Sequence, residues 1–135
     1  MKIVADTNVL ISALGWKGPS HGILQLAFKE KIKLALSPDL LTEFKDVSQR
    51  PRLGFSKTQT DDFLNALLQV CEVVSPTTKQ DIIKEDDDDN RVLECALEAK
   101  AKMIVSGDQH LLSLTSFQNM PILKPRNALE LLERH

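Results

Sequence analysis

The chain has 135 residues, a formal net charge of −2 and a pI near 5.9. Its 42% hydrophobic and 27% charged residues exclude a disordered chain, and the charge excludes a protein that coats nucleic acid by bulk attraction. The length suits one domain over residues 1–135, and with only 4% aromatics its core must be aliphatic.

Ile3 to Ala5 form a short apolar run that meets Asp6-Thr7-Asn8. This pattern predicts a buried strand entering a loop or a helix start. Ile23, Leu24, Ala27 and Phe28 recur at helical spacing, and Lys29 to Lys31 behind them predict cations in the last turn. Lys33 to Leu36 is a second strand. Ser37-Pro38 then signals a helix start, because Ser can accept from a free backbone N–H and Pro fits the first helical position. That helix carries Leu40, Leu41, Phe44 and Val47 inward and stops near Arg50-Pro51. Ser56 to Val70 is helical, Glu72 to Ser75 is a third strand, and residues 76–88 form a polar loop. A helix runs from Asp89 through Val92, Leu93, Ala96 and Leu97. Met103 to Val105 is a strand, Leu111 to Leu114 a short helix, Ile122-Leu123 a last strand and Ala128 to Leu132 a last helix. Strands alternating with helices predict an α/β domain with a mostly parallel sheet and helices on both faces.

In such a sheet, ligands bind beyond the carboxyl ends of the strands. Asp6 directly follows the first strand, and Asp108 follows the Met103–Val105 strand across Ser106-Gly107. Glu43 lies early in the Ser37-Pro38 helix, and Asp89 opens the Val92 helix. All four acids are thus expected at one sheet edge. Alone, Asp6 and Asp108 would pass for cap or turn residues, and Glu43 for a solvated one. Gathered, they would repel one another and resist ionisation. A hard divalent cation such as Mg²⁺ relieves that, and equips the site for attack on phosphorus.

Other chemistry lacks its residues. His21, His110 and His135 form no close ligand pair, and no Gly-rich phosphate loop is present. His110 is expected to cap or pack rather than to catalyse. Cys71 and Cys95 lack metal-ligand spacing and are expected to be free thiols in a reducing compartment. No signal peptide and no apolar run of membrane-spanning length is evident, so a cytoplasmic location is expected.

At this point the residues match a family. Asp6-Thr-Asn-Val-Leu-Ile-Ser-Ala-Leu14 resembles the opening of PIN-domain nucleases. Ser37-Pro-Asp-Leu-Leu-Thr-Glu43, Asp86 to Leu97, and Ile104-Val-Ser-Gly-Asp108 resemble its later segments, in order and at sensible spacing. In the third segment the family places an acid three residues before the first apolar helix residue. That register selects Asp89 ahead of Val92 and leaves Asp88 as a second ligand or a helix cap. The likeness extends to the VapC-like toxins of bacterial and archaeal toxin–antitoxin pairs.

This resemblance implies a three-layer α/β/α fold and Mg²⁺- or Mn²⁺-dependent cleavage of RNA, leaving a 5′-phosphate and a 3′-hydroxyl. It implies a small antitoxin partner and a homodimer. Asp6, Asp89 and Asp108 would hold the principal ion, and Glu43 would orient the attacking water or hold a second ion. Thr7 and Ser106 would support by hydrogen bonding, while Asn8 would orient Asp6 or simply make a turn. Trp16 would stack on a base or close over the core, and Arg50 and Arg52 are candidate phosphate contacts.

Two rival classes are separable. A PIN-fold scaffold that binds RNA or a partner without cleaving need not bind an ion. A haloacid-dehalogenase-like phosphatase would want a second Asp where Asn8 stands, and a receiver domain would want Lys after the late strand.

Overall fold

The computed structural model describes residues 1–134; His135, counted among the histidines above, lies outside the described residues. β1 (Lys2–Ala5) lies near the middle of a six-stranded sheet. It pairs in parallel with β2 (Lys33–Leu36) on one side and β4 (Met103–Val105) on the other. β3 (Glu72–Val73) extends the sheet beyond β2, and β6 (Met120–Leu123) extends it beyond β4, both in parallel. β5 (Ser116–Phe117) adds the single antiparallel edge, giving the order β3-β2-β1-β4-β6-β5.

α1 (Thr7–Gly15) and α2 (Pro19–Phe28) cross from β1 to β2. α3 (Pro38–Ser48), a 3-10 turn at Pro51–Leu53 and α4 (Lys57–Val70) cross from β2 to β3. α5 (Asp87–Ala99) then returns across the sheet to β4. Right-handed crossovers put the first four helices on one face and α5 on the other, because the chain reverses direction after β3. α5 packs on β1 and β2, while α7 (Pro125–Glu133) packs on α2. The result is the expected three-layer α/β/α arrangement about a mostly parallel sheet. α6 (Gln109–Leu112) is a single turn after β4.

The central strands β1, β2 and β4 are buried on both faces, as their continuous apolar runs require. Ile3, Leu34, Leu36, Leu93 and Ile104 fill the centre, and Phe44 is the only aromatic among the largest fully buried side chains.

Several expectations are corrected in detail. Of the two forms expected after Asp6, the helix start is the one adopted and it continues to Gly15, with Thr7, Val9, Leu10, Ile11 and Ala13 buried. α2 stops at Phe28, so Lys29 to Lys31 lie beyond it and no cation occupies its last turn. α5 begins at Asp87, two residues before Asp89, because the Asp86 side chain accepts from the Asp88 backbone N–H and caps it. That assigns the cap to Asp86 and not to Asp88. α6 starts two residues early, at Gln109, under the Asp108 cap.

The polar segment before α5 is irregular but strapped down. Asn90, Glu94 and Glu98 stand at successive helical turns on one side of α5. Asn90 Oδ1 accepts from the backbone N–H groups of Ile82 and Ile83 (3.1 and 2.9 Å), and its Nδ2 donates to Ile83 O (2.7 Å). Glu94 accepts from Gln80 N (2.8 Å), and Glu98 from Thr77 N and Oγ1 (3.1 and 3.0 Å). Glu94 is itself buried and paired with Arg91 at 2.8 Å. Lys79 is thereby held beside the start of α5.

Candidate metal centre

The strand order reverses between β1 and β4, since the chain builds outward on one side of β1 and then restarts on the other. Such a switch point opens a crevice beyond the carboxyl ends of two neighbouring strands. Asp6 leaves β1 there and Asp108 follows β4. The Asp6 backbone N–H still donates to Val105 O (3.1 Å), so the two strand ends are locked together where they diverge.

Each acid is fixed by local chemistry. Asp6 is the N-cap of α1: its Oδ1 accepts from Val9 N at 3.0 Å. Its Oδ2 accepts from the Ser106 hydroxyl, whose oxygen in turn accepts from Asp108 N at 2.9 Å. Ser106 is fully buried and ties the two strand ends through one side chain. Asp108 is the N-cap of α6 and accepts from the N–H groups of His110 (2.8 Å) and Leu111 (3.3 Å). Asp89 is different. It lies in the first turn of α5, 7% exposed, and its Oδ2 is buried with no hydrogen-bond partner.

The tightest group is Asp89, Asp108 and His110, each offering one ligand atom within 4.8 Å of the others. Asp6 stands beside them, close enough that Asp108 raises its pKa and that it raises that of Asp89. Glu43, on α3, is half-buried near Asp88, Asp86 and Asp6, and is not among the three residues whose ligand atoms lie together. Asp88 is exposed and shares a cleft with Glu43. The Thr7 hydroxyl is buried toward Glu43, near enough to favour its ionised form but without a hydrogen bond of normal geometry. Asn8 is exposed and lies apart, in a shallow hollow with Gly107 and Pro125; it makes no hydrogen bond to Asp6 among the described residues.

The electrostatics follow from this crowding. Burial raises the pKa of Asp6, which its bonds to Ser106 and Val9 oppose and Asp108 reinforces. Burial also raises that of Glu43, with Asp88, Asp86 and Asp6 adding to it against Thr7. That of Asp89 is raised to about 8, through burial first, then the adjoining Asp108 carboxyl, then Asp86 and Asp6. A buried carboxyl oxygen without a donor, among like charges, suits a small divalent cation. Among the described residues, Asp89, Asp108 and His110 offer ligand atoms close enough together to share one.

Outside this group, the cleft bearing Glu43 and Asp88 measures about 450 Å³ and is also lined by Asp39, Asp46, Arg50, Lys79 and Arg91. Arg91 is committed to Glu94 and Asp87. Arg50 and Lys79 make no ion pair among the described residues. Trp16 is 58% exposed and packs edge-on against Phe55. Cys71 and Cys95 are both free, and burial pushes the Cys95 thiol up to about 12, so it offers no nucleophile.

A PIN domain family model matches residues 2–110. The chain belongs to the PIN domain family. PIN domains are generally nucleases. The chain is 40% identical over 119 residues to the uncharacterized protein MJ1680 of Methanocaldococcus jannaschii, covering 84% of this chain and 75% of that protein. Its fold matches a chain of VapBC2 from Rickettsia felis, a structure described as bound to a DNA fragment from their promoter. The TM-score is 0.63 at 18% identity, over 92% of this chain and 98% of that one. It also matches PAE2754 from Pyrobaculum aerophilum, with a TM-score of 0.67 at 16% identity, over 100% and 91% of the two chains. No helix among the described residues is long and apolar enough to cross a membrane.

Among the PIN-domain residues, the sequence patterns missed His110 as a partner of Asp89 and Asp108. Its signal was faint: an Asp-x-His after a strand places the imidazole in the first turn of a helix that the Asp caps. Asp86, given no role by the sequence patterns, caps α5 and presses on both Glu43 and Asp89.

Proposed function

We propose that this PIN domain is a divalent-cation-dependent endoribonuclease, acting as the toxin of a toxin–antitoxin pair. The observation that carries the metal dependence is the buried, unpartnered Asp89 Oδ2 beside Asp108 at the switch point. Asp6, Asp89 and Asp108 hold the ion, Mg²⁺ or Mn²⁺. When bound, the ion favours ionisation of water and neutralises charge developing on a phosphoryl oxygen. Ser106 keeps Asp6 and Asp108 in register with each other. Glu43, near Asp6 and raised in pKa, orients the attacking water and accepts its proton. In-line displacement leaves a 5′-phosphate and a 3′-hydroxyl.

An acidic chain must hold RNA locally, and the cleft beside Glu43 supplies the place. Arg50 on one wall and Lys79 on the strapped segment seat backbone phosphates there. Each of Arg50→Ala and Lys79→Ala is expected to raise KM and to lower the slope of log(1/KM) against log salt by about 0.7. An unchanged slope in both would remove these residues from the interface.

The likeness to VapBC2 supports an antitoxin partner; a homodimer is proposed beside it, and the free cysteines suit a reducing cytoplasm. The primary test incubates the purified protein with a single-stranded RNA, with added Mg²⁺ or Mn²⁺ and with chelator. Cleavage is expected only with the ion. Ion binding by calorimetry without any cleavage, over varied RNA substrates, would favour a binding scaffold instead.

A further inference from the structure

We infer that His110 is a direct ligand of the ion held by Asp89 and Asp108, so that the centre prefers nitrogen-accepting transition ions over Mg²⁺. This rests on the proposed ion site, but not on RNA as the substrate.

The geometry has three parts. His110 Nδ1 stands 3.7 Å from Asp89 Oδ2 and 3.6 Å from Asp108 Oδ1. Those separations are too long for hydrogen bonds, which close at about 2.7–3.2 Å. An imidazolium acting only as a counter-ion to two carboxylates would be expected to close on one of them. Two ligand atoms on one small ion, by contrast, lie between about 3 Å and about 4.2 Å apart, given bonds of about 2.1 Å. The observed spacing falls inside that window.

Second, the Asp89 side chain is nine-tenths buried, and its Oδ2 faces His110 with no donor of its own. Third, His110 is anchored by its backbone, whose N–H donates to Asp108 Oδ1 at 2.8 Å. The ring is therefore set by the helix start, and 45% exposure leaves its far edge open to water. With its proton on Nε2, the ring presents the Nδ1 lone pair to the gap.

Donor chemistry then fixes the preference. Mg²⁺ takes oxygen ligands and retains its waters, whereas imidazole is a better donor to Mn²⁺, Co²⁺, Ni²⁺ and Zn²⁺. Exchanging the ring for an oxygen donor should therefore penalise those ions and spare Mg²⁺.

The test uses the full chain loaded with Mn²⁺ and examined by pulsed electron paramagnetic resonance. The expected result is a nitrogen coupling typical of a coordinated imidazole, lost in His110→Gln. Calorimetry supplies the second measurement: His110→Gln is expected to weaken Co²⁺ binding by roughly 10- to 100-fold and Mg²⁺ binding far less. His110 is exposed, and its backbone bond to Asp108 survives the substitution; an unchanged unfolding temperature in chelator checks that. Mn²⁺ bound without nitrogen coupling overturns the His110 assignment and leaves the carboxylate site standing. An equal loss for Co²⁺ and Mg²⁺ overturns the selectivity. No ion bound by the unaltered chain overturns both this inference and the metal dependence proposed above.

Discussion

Replacing Asp6 and Asp89 together by asparagine is expected to lower RNA cleavage by roughly 100-fold or more, with the fold retained. The substitution is chosen to separate chemistry from architecture. Asp6 caps α1 through Val9 N, and asparagine caps a helix about as well as aspartate. Asp6→Ala would instead remove the cap and cost about 1 kcal/mol, confusing an unstable protein with an inactive one. Asp89 Oδ2 has no hydrogen-bond partner for asparagine to lose. The double variant removes two negative charges at the point where a cation would sit, together with the Asp6 oxygen that accepts from the Ser106 hydroxyl. The measurement is the initial rate on a labelled single-stranded RNA with saturating Mn²⁺, alongside circular dichroism. Undiminished cleavage would rule out the switch-point acids as the active site.

The second large effect is on stability without metal. Asp89 titrates near 8 in the folded chain, against about 3.9 when unfolded. Between those values the folded state keeps a proton that the unfolded state has released. Stability must therefore fall as pH rises. The Asp89 contribution is complete below about pH 4 and gone above about pH 8. Asp6 and Glu43 are raised as well and act in the same direction. Each pKa unit between the two states is worth about 1.4 kcal/mol, so the three raised acids together set the trend.

Urea unfolding in chelator, compared at about pH 5 and about pH 8.5, should show a clear loss of stability at the higher pH. Asp89→Asn should flatten that loss. Added Mn²⁺ should restore stability to the unaltered chain at the higher pH, by about 2.7 kcal/mol at a hundredfold excess over Kd. The same addition should do much less for the variant. A flat profile for the unaltered chain would mean that Asp89 is not held among like charges in a dry pocket.

The layers of the fold were legible because parallel strands declare themselves. Ile3–Ala5, Leu34–Leu36 and Met103–Val105 are unbroken apolar runs, each closed by a polar or turn residue. The acids were legible for the same reason, since strand ends and helix starts mark one sheet edge. α1 was harder. It is buried around most of its circumference, so Val9, Leu10, Ile11 and Ala13 give no one-sided stripe. β5 was not foreseen because its turn lacks the usual Asn-Gly signal; Gln118 and Asn119 both adopt positive φ (50° and 68°) without a glycine. His110 escaped because a lone histidine declares nothing until its neighbours in space are known. Asp89 was separable from Asp88 only by register, and the pair diverge sharply: one is buried at the centre, the other exposed on the cleft wall.

The helix caps have an evolutionary consequence. Asp6, Asp86 and Asp108 each hold the start of a helix, so selection for a folded chain would keep them whether or not the protein still cut anything. Glu43 and Asp89 cap nothing, and burying them among like charges works against folding. A lineage that abandoned catalysis would shed those two first. Both are present in this chain.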